Sequence, residues 1–223
     1  MCDVRDREQV EAAVETAAEH LHGLDVVIAN AGVAAQLPLV GGDPEAFEQT
    51  IEVNLLGVYY TLRAAGAHIA HPNGYALAIS SLAAALHPPL LGAYRASKAG
   101  AEALADWLRI ALAPSGARVG VAYFAELDTD MTSRGFGTEA AAKIGRRGGP
   151  FTRVTPLEVG INAIVRGIER RSHRVVAPSW VGTVLPIRMF AQKIVELGAR
   201  RGLDPALEIA RREHAPLTTE QPS

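Results

Sequence analysis

The chain has 223 residues, 48% of them hydrophobic and 21% charged, with a formal net charge of −2. That balance fits one globular domain with a sizeable core and excludes a disordered polymer. Cys2 is the only cysteine, no apolar run reaches the ~18 residues of a membrane span, and the start MCDVRDREQ is charged. A disulfide scaffold, an obvious spanning helix and a secretory leader are therefore not expected, and the cytoplasm is the expected compartment.

Asp6 followed by Gln9 gives a helix-capping pattern. Val10, Ala13, Val14, Ala17 and Leu21 then recur at helical spacing, and Gly23 is expected to end that helix. Leu24 to Ala29 is short and apolar on both parities, the pattern of a strand buried on both faces of a parallel sheet. Asp43-Pro44 opens a long helix through about residue 70, with Pro44 at a tolerated first position. Tyr75 to Ser81 reads as a strand. Residues 94 to about 113 read as a helix stopped by Pro114-Ser115-Gly116, and Arg118 to Phe124 as a strand. Thr155-Pro156-Leu157-Glu158 has the form of a capping box for a helix ending near Arg170, and Arg174 to Ala177 reads as a last strand.

This alternation predicts an α/β fold with a doubly wound, mostly parallel sheet. No repeat or linker divides it, so a single domain is expected over 1–214. A helical extension starts at about 179, 215–223 is a disordered tail, and 132–154 is the longest irregular stretch. Such a sheet binds its ligand beyond the carboxyl ends of its strands. Those ends carry Asn30-Ala31-Gly32, Ser80-Ser81 and the segment after Phe124.

Charge is unevenly spread. Residues 1–133 carry 7 Lys/Arg against 16 Asp/Glu, and residues 134–201 carry 13 against 4. A basic face of this kind is either simply solvated or drawn to an acidic substrate or anionic membrane. The basic residues are not interleaved with aromatics, so no nucleic-acid partner is expected.

Tyr94 and Lys98 lie four apart on a predicted helix and share one face. A tyrosine hydroxyl is too weak an acid to serve as a base at neutral pH, but a neighbouring ammonium favours its phenolate. Such a pair can exchange a proton with an alcohol or carbonyl oxygen. Ser81 stands thirteen positions before Tyr94 at the end of a predicted buried strand. Asn54 is a polar residue amid Ile51, Val53, Leu55 and Leu56. Each has an ordinary structural reading alone: a cap for Ser81, a helix side chain bonding backbone for Asn54, a turn for 30–32. Their joint occurrence at strand ends is what points to chemistry.

Asp3-Val4, N-A-G at 30–32, Asn54 in N-L-L-G, Ser81, Y-R-A-S-K at 94–98 and Thr129 in D-T-D-M together resemble the short-chain dehydrogenase/reductase family. The likeness covers that Rossmann-like fold from the end of its third strand onward. It implies an oxidoreductase moving a hydride between NAD or NADP and an alcohol or ketone. It implies Tyr94 as general acid/base, Lys98 as the ribose ligand that lowers the tyrosine pKa, Ser81 as the group positioning the substrate oxygen, and Asn54 as holder of a relay water. It also implies cofactor contacts by Asp3, Val4, Asn30, Ala31, Gly32 and Thr129, no metal, and a homodimer or homotetramer. The alternative is a non-catalytic remnant acting as an interaction protein.

Two departures stand out. Phe124-Ala125 occupies the place where the family usually has Pro-Gly. No G-x-x-x-G-x-G turn precedes Asp3, so the sequence is expected to be an N-terminally truncated member, a fragment or the product of a late start. Without that turn, whose amides hold a pyrophosphate at a helix N-terminus, the 223 residues are expected to bind NAD and NADP weakly. Calorimetry checks this, and micromolar affinity would mean a substitute phosphate site.

Leu82, Leu86, Pro88, Leu90 and Leu91 imply an apolar substrate pocket. Trp107 belongs either to the core or to a subunit interface. Within 179–201, Trp180, Val181, Val184, Leu185, Ile187, Phe190, Ile194 and Val195 form an apolar set flanked by Arg188, Lys193, Arg200 and Arg201. Two readings stay open for it: helices covering the pocket or an interface, or a peripheral membrane contact.

Overall fold

The computed structural model describes residues 1–87, 89–135, 154–199, 203–213 and 217. Helix α1 (Arg7–Leu21) begins as its sequence dictates, with the Asp6 carboxylate accepting from the Glu8 and Gln9 amides. Its end differs from expectation. His22 takes the left-handed conformation (φ 56°) one residue before Gly23, and both amides return to the last turn of the helix.

Strands β1 (Val26–Ala29), β2 (Tyr75–Ile79), β3 (Arg118–Phe124) and β4 (Arg174–Ala177) form one parallel sheet in that spatial order. Register pairs Val26 with Tyr75, Tyr75 with Arg118, and Val121 with Arg174. All five residues of β2 are buried, which explains why its apolar run shows no alternation.

The connection from β1 to β2 is one helical path with a defect. Helix α2 (Pro44–Ile51), capped by Asp43, passes through a π-helical segment over Glu52–Leu56 into α3 (Gly57–Gly66). Helix α4 (Gly92–Leu112) joins β2 to β3. After α5 (Asp130–Gly135), α6 (Leu157–Glu169) leads into β4. One sheet face, with Ala76, Ala78, Val119 and Val121, packs on Val58 and Leu62 of α3 and Ala101 and Ala105 of α4. The other, with Tyr75, Leu77, Ala122 and Val175, packs on Ala163, Ile164 and Ile168 of α6. Helices thus cover both faces, as an α/β sheet requires.

Thr155 does not cap α6. Its amide donates to the Glu126 carbonyl and its carbonyl accepts from Asp128, each at 2.8 Å, so its backbone bridges to the segment after β3 and Pro156 takes the cap position.

Beyond β4, the chain forms α7 (Val181–Val184), a turn of 3-10 helix over Leu185–Ile187, α8 (Arg188–Ala199) and α9 (Leu203–Glu213). This divides the apolar set of 179–201. Val181, Val184 and Leu185 are buried and Trp180 packs on the sheet core, whereas Ile187, Met189, Phe190, Ile194 and Leu197 are exposed. Trp107 is also exposed, at 65%, and so is not core. Arg200, Arg201, Pro88, residues 136–153 and the expected tail other than Leu217 lie outside the described residues. Among the described residues no helix is long and apolar enough to cross a membrane.

Gly120 shows how tightly the sheet is closed. The Tyr75 hydroxyl crosses β3 to donate to the Ser172 carbonyl at 2.8 Å. A Cβ on Gly120 would lie 2.3 Å from both that hydroxyl and the Ser172 carbonyl oxygen. Gly120→Ala is therefore expected to destabilise the fold by about 1–3 kcal/mol, the usual scale of overpacking. A lowered urea midpoint at unchanged slope would register it.

Candidate active site

The carboxyl ends of the strands open on a cavity of about 640 Å³, within the usual range for small-molecule sites. Its wall takes Asn30 and Gly32 from the end of β1, Ser80 and Ser81 from the end of β2, Tyr94 and Lys98 from α4, and Phe124 to Leu127 after β3. Thr129 and Thr132 follow, and α6 and α8 close the far side with Ile161, Ile164 and Val195. Leu82, Leu86 and Leu91 line it as expected. Leu90 instead packs on Ala210 of α9.

Asn54 sits in the π-helical segment, completely buried. Its Oδ1 accepts from the Val33 amide at 2.7 Å. Its Nδ2 donates to the Val33 carbonyl at 2.8 Å and to Ser97 Oγ at 3.1 Å. Ser97 Oγ in turn donates to the Tyr94 carbonyl at 2.7 Å. The π segment adds a residue to the helix turn and aims Asn54 at the loop after β1, a usual role for such defects near sites. Both N–H donors of the Asn54 amide are spent on protein. As placed, it fixes the 30–33 loop against α4 and has only acceptor capacity left for a water.

Tyr94, Ser97 and Lys98 share one buried face of α4. Lys98 Nζ donates to the Ile79 carbonyl at 2.9 Å and lies 5.7 Å from the centre of the Tyr94 ring. Burial pushes Lys98 down to about 8. Burial also pushes Tyr94 above its ordinary 10.0, against a smaller opposite pull from its hydrogen bond with Ser81. Sequence reasoning expected Lys98 to lower Tyr94. The net direction is upward, because desolvation of the buried hydroxyl outweighs its hydrogen bond with Ser81.

Ser81 Oγ accepts from the Ala83 amide at 3.1 Å and donates to the Phe124 carbonyl at 3.4 Å, so the hydroxyl is anchored beside Tyr94. The Ser80 hydroxyl donates to the Lys98 carbonyl at 2.9 Å, holding α4 to the end of β2. Gly32 packs against the same group: a Cβ there would lie 3.2 Å from Lys98 Nζ and 3.4 Å from Asn54 Oδ1. Thr129 reaches the cavity, and its Oγ1 lies 3.3 Å from that of Thr132.

Not every expected residue gathers there. Asp3 and Val4 do not line the cavity. The Arg5 guanidinium grips the Asp3 carboxylate with bonds of 2.6 to 3.1 Å and holds it below the ordinary carboxylate range. Val4 packs against Gly57 at the start of α3. Ala31 is exposed and not part of the wall. Conversely, sequence reasoning missed Ser97, Thr132 and Glu126. Ser97 was visible at the i+3 position of the Tyr94–Lys98 face. Glu126 carried no signal beyond its nearness to a strand end.

A family model described as short chain dehydrogenase matches residues 1–140, more than half of the chain. The chain belongs to that family. It is 36% identical over 133 residues to (-)-trans-carveol dehydrogenase of Rhodococcus erythropolis, covering 58% of this chain and 48% of that protein. It is 33% identical over 138 residues to trans-4-hydroxycyclohexanecarboxylate dehydrogenase of Sinomonas cyclohexanicum, covering 60% and 53%. The chain thus spans about half the length of these two dehydrogenases. Among solved structures, the alcohol dehydrogenase of the archaeon Thermococcus sibiricus, in complex with 5-hydroxy-NADP, superposes with a TM-score of 0.65 at 26% identity. That match covers 78% of this chain and 71% of that one.

Proposed function

We propose that this short-chain dehydrogenase is an NAD(P)-dependent oxidoreductase interconverting an apolar secondary alcohol and its ketone. The observation that carries the reading is the Tyr94 hydroxyl, hydrogen-bonded to Ser81 with the Lys98 amine 5.7 Å from its ring, all facing one cavity. The names of the two relatives, both dehydrogenases of hydroxylated ring compounds, support it.

The residues fit the nicotinamide half of NAD(P). The backbone at Gly32 is bare where a side chain would crowd Lys98. Lys98 donates one hydrogen bond, to Ile79, and so has two N–H groups to offer ribose hydroxyls. Thr129 supplies a hydroxyl for the carboxamide. When bound, the dinucleotide supplies the hydride acceptor in oxidation and the donor in reduction. The chain's own residues manage the proton. Ser81 holds the substrate oxygen, Tyr94 takes its proton as the alcohol is oxidised and returns it in reduction, and Lys98 stabilises the phenolate. Asn54 and Ser97 hold these groups in register. The apolar wall excludes water, which strengthens each of these interactions.

The test is absorbance in the reduced-nicotinamide band with either cofactor and a panel of cyclic alcohols that includes carveol. Cofactor reduction that depends on the alcohol supports the reading. Its absence across the panel, in a folded sample at saturating cofactor, rejects it. The reading also holds that the protein works in the cytoplasm as a homodimer or homotetramer. The exposed side chains of α8 are then the part of 179–201 left to meet a second subunit or an anionic membrane.

A further inference from the structure

Among the described residues, the non-glycine residues with positive φ are His22, Leu90 and Arg171. His22 and Arg171 follow the last turns of α1 and α6, where the left-handed conformation is a usual way to end a helix. Leu90 has no such reason. It lies in a turn just before α4, at φ 67°, a conformation that a Cβ makes costly and for which glycine is the ordinary choice.

Leu90 is held there from two sides. Its carbonyl accepts from the Leu37 amide at 2.8 Å, which joins it to the loop after β1. Its side chain, 6% exposed, is buried in a cluster with Ala210, Leu207 and Ile209 of α9, a helix from the far end of the chain. Helix α9 also reaches the loop after β1, where Arg211 Nε donates to the Val40 carbonyl at 3.4 Å. The next residue carries the consequence. Leu91 is the N-cap of α4, lines the cavity and packs with Tyr94 and Ala34. No side-chain hydrogen bond caps that end of α4. The direction of its first turn, which carries Tyr94, therefore depends on how the chain leaves Leu90. Lys98 stands one turn deeper and has its own anchor at the Ile79 carbonyl.

Resting on the alcohol-oxidoreductase reading, we infer that Leu90 is a positioning residue for Tyr94, held in its left-handed conformation by α9. Burial of the side chain in the α9 cluster offsets the steric cost of the turn. Released from that cover, Leu90 returns to negative φ, Leu91 moves with it, and Tyr94 shifts from its place beside Ser81. The loss falls on proton transfer, because a small misplacement of a reacting group costs rate, and spares the cofactor, because Lys98 keeps its anchor.

Leu90→Ala, Leu90→Gly and Leu90→Met, made in the full chain, separate this role from plain packing. Alanine keeps the Cβ and loses the cover, glycine loses both and adopts the turn freely, and methionine keeps both. For an alcohol that the parent oxidises, kcat should fall roughly 10-fold in Leu90→Ala, with cofactor affinity little changed. It should fall less in Leu90→Gly and stay near the parent value in Leu90→Met. A side chain that merely fills space gives the reverse order, glycine at least as damaging as alanine, because glycine leaves the larger cavity and the looser backbone. Leu90→Gly as slow as Leu90→Ala, or Leu90→Ala at the parental rate, overturns the assignment and leaves the alcohol chemistry standing. Should Leu90→Ala not fold, Ala210→Asp decides from the side of α9. It should lower kcat more in the parent than in Leu90→Gly, and equal losses in the two backgrounds overturn the assignment. The ring-carbon NMR resonance of Tyr94, identified by its loss in Tyr94→Phe, is a readout independent of turnover. It should move most in Leu90→Ala and least in Leu90→Met. If no alcohol is turned over, the functional reading fails, and the order of those resonance shifts alone decides the role of Leu90.

Discussion

Tyr94→Phe is expected to lower kcat at least ~100-fold, the usual contribution of a positioned acid/base, while the fold and substrate affinity change little. The ring of Tyr94 packs with Ala34 and Leu91, and Phe preserves those contacts. The substitution removes only the hydroxyl, and with it the proton acceptor beside Ser81. Ser81 keeps its bond from the Ala83 amide, and its hydroxyl turns from the Phe124 carbonyl, 3.4 Å away, to donate to the substrate oxygen. A binding role for the hydroxyl would raise KM with kcat intact; a chemical role lowers kcat and kcat/KM together. The pH profile separates the two further. Burial holds Tyr94 above its ordinary value in the structure, so proton acceptance must depend on charge brought close by Lys98 and the occupied cavity. Activity in the oxidative direction is therefore expected to rise with pH in the parent enzyme, and the small residual rate of Tyr94→Phe to lack that limb. Near-normal kcat in the variant would remove Tyr94 from the mechanism.

The parts of this arrangement that were legible in sequence are those set by local pattern. The β2 run was readable because it is too short for a helix and is bounded by Pro72-Asn73-Gly74 before it and Ser80-Ser81 after it. The Tyr94–Lys98 pair was readable because four-residue spacing fixes a common face whatever the surroundings. The π-helical break at 52–56 was not readable. Ile51, Val53, Leu55 and Leu56 suit an ordinary helix, and the break depends on Asn54 reaching Val33, 21 residues away, and Ser97, 43 away. Thr155 failed as a cap for a similar reason: a cap preference worth ~1 kcal/mol yields to two backbone hydrogen bonds with the segment after β3. Trp180 grouped with Phe190 by composition, but the two part company at α7, one on the core and the other in solvent. In each case a long-range partner, invisible to a window of sequence, decides the outcome.

Lys98→Met is expected to show two effects that a purely structural lysine would not combine. The first is on catalysis. Loss of a charged hydrogen-bond donor, worth about 1.5–3 kcal/mol, should weaken NAD(P) affinity at least ~10-fold and flatten the pH dependence attributed to Tyr94. The second is on stability. Lys98 sits at about 8 rather than its ordinary 10.5 because burial disfavours the cation. Between those values the unfolded chain holds a proton that the folded chain has shed, so stability rises with pH across that window. Below 8 the fold bears the full cost of the buried cation, and above 10.5 it bears none. The difference corresponds to about 3 kcal/mol at most. Tyr94 acts in the opposite sense, its raised value costing stability once pH exceeds its ordinary 10.0, so the comparison belongs between pH ~7.5 and ~9.5. Over that interval the parent should gain urea resistance relative to Lys98→Met, whose methionine does not titrate. Parallel stability curves for the two proteins would show that Lys98 is not buried as a strained cation. Unchanged cofactor affinity would separately remove it from the nicotinamide site.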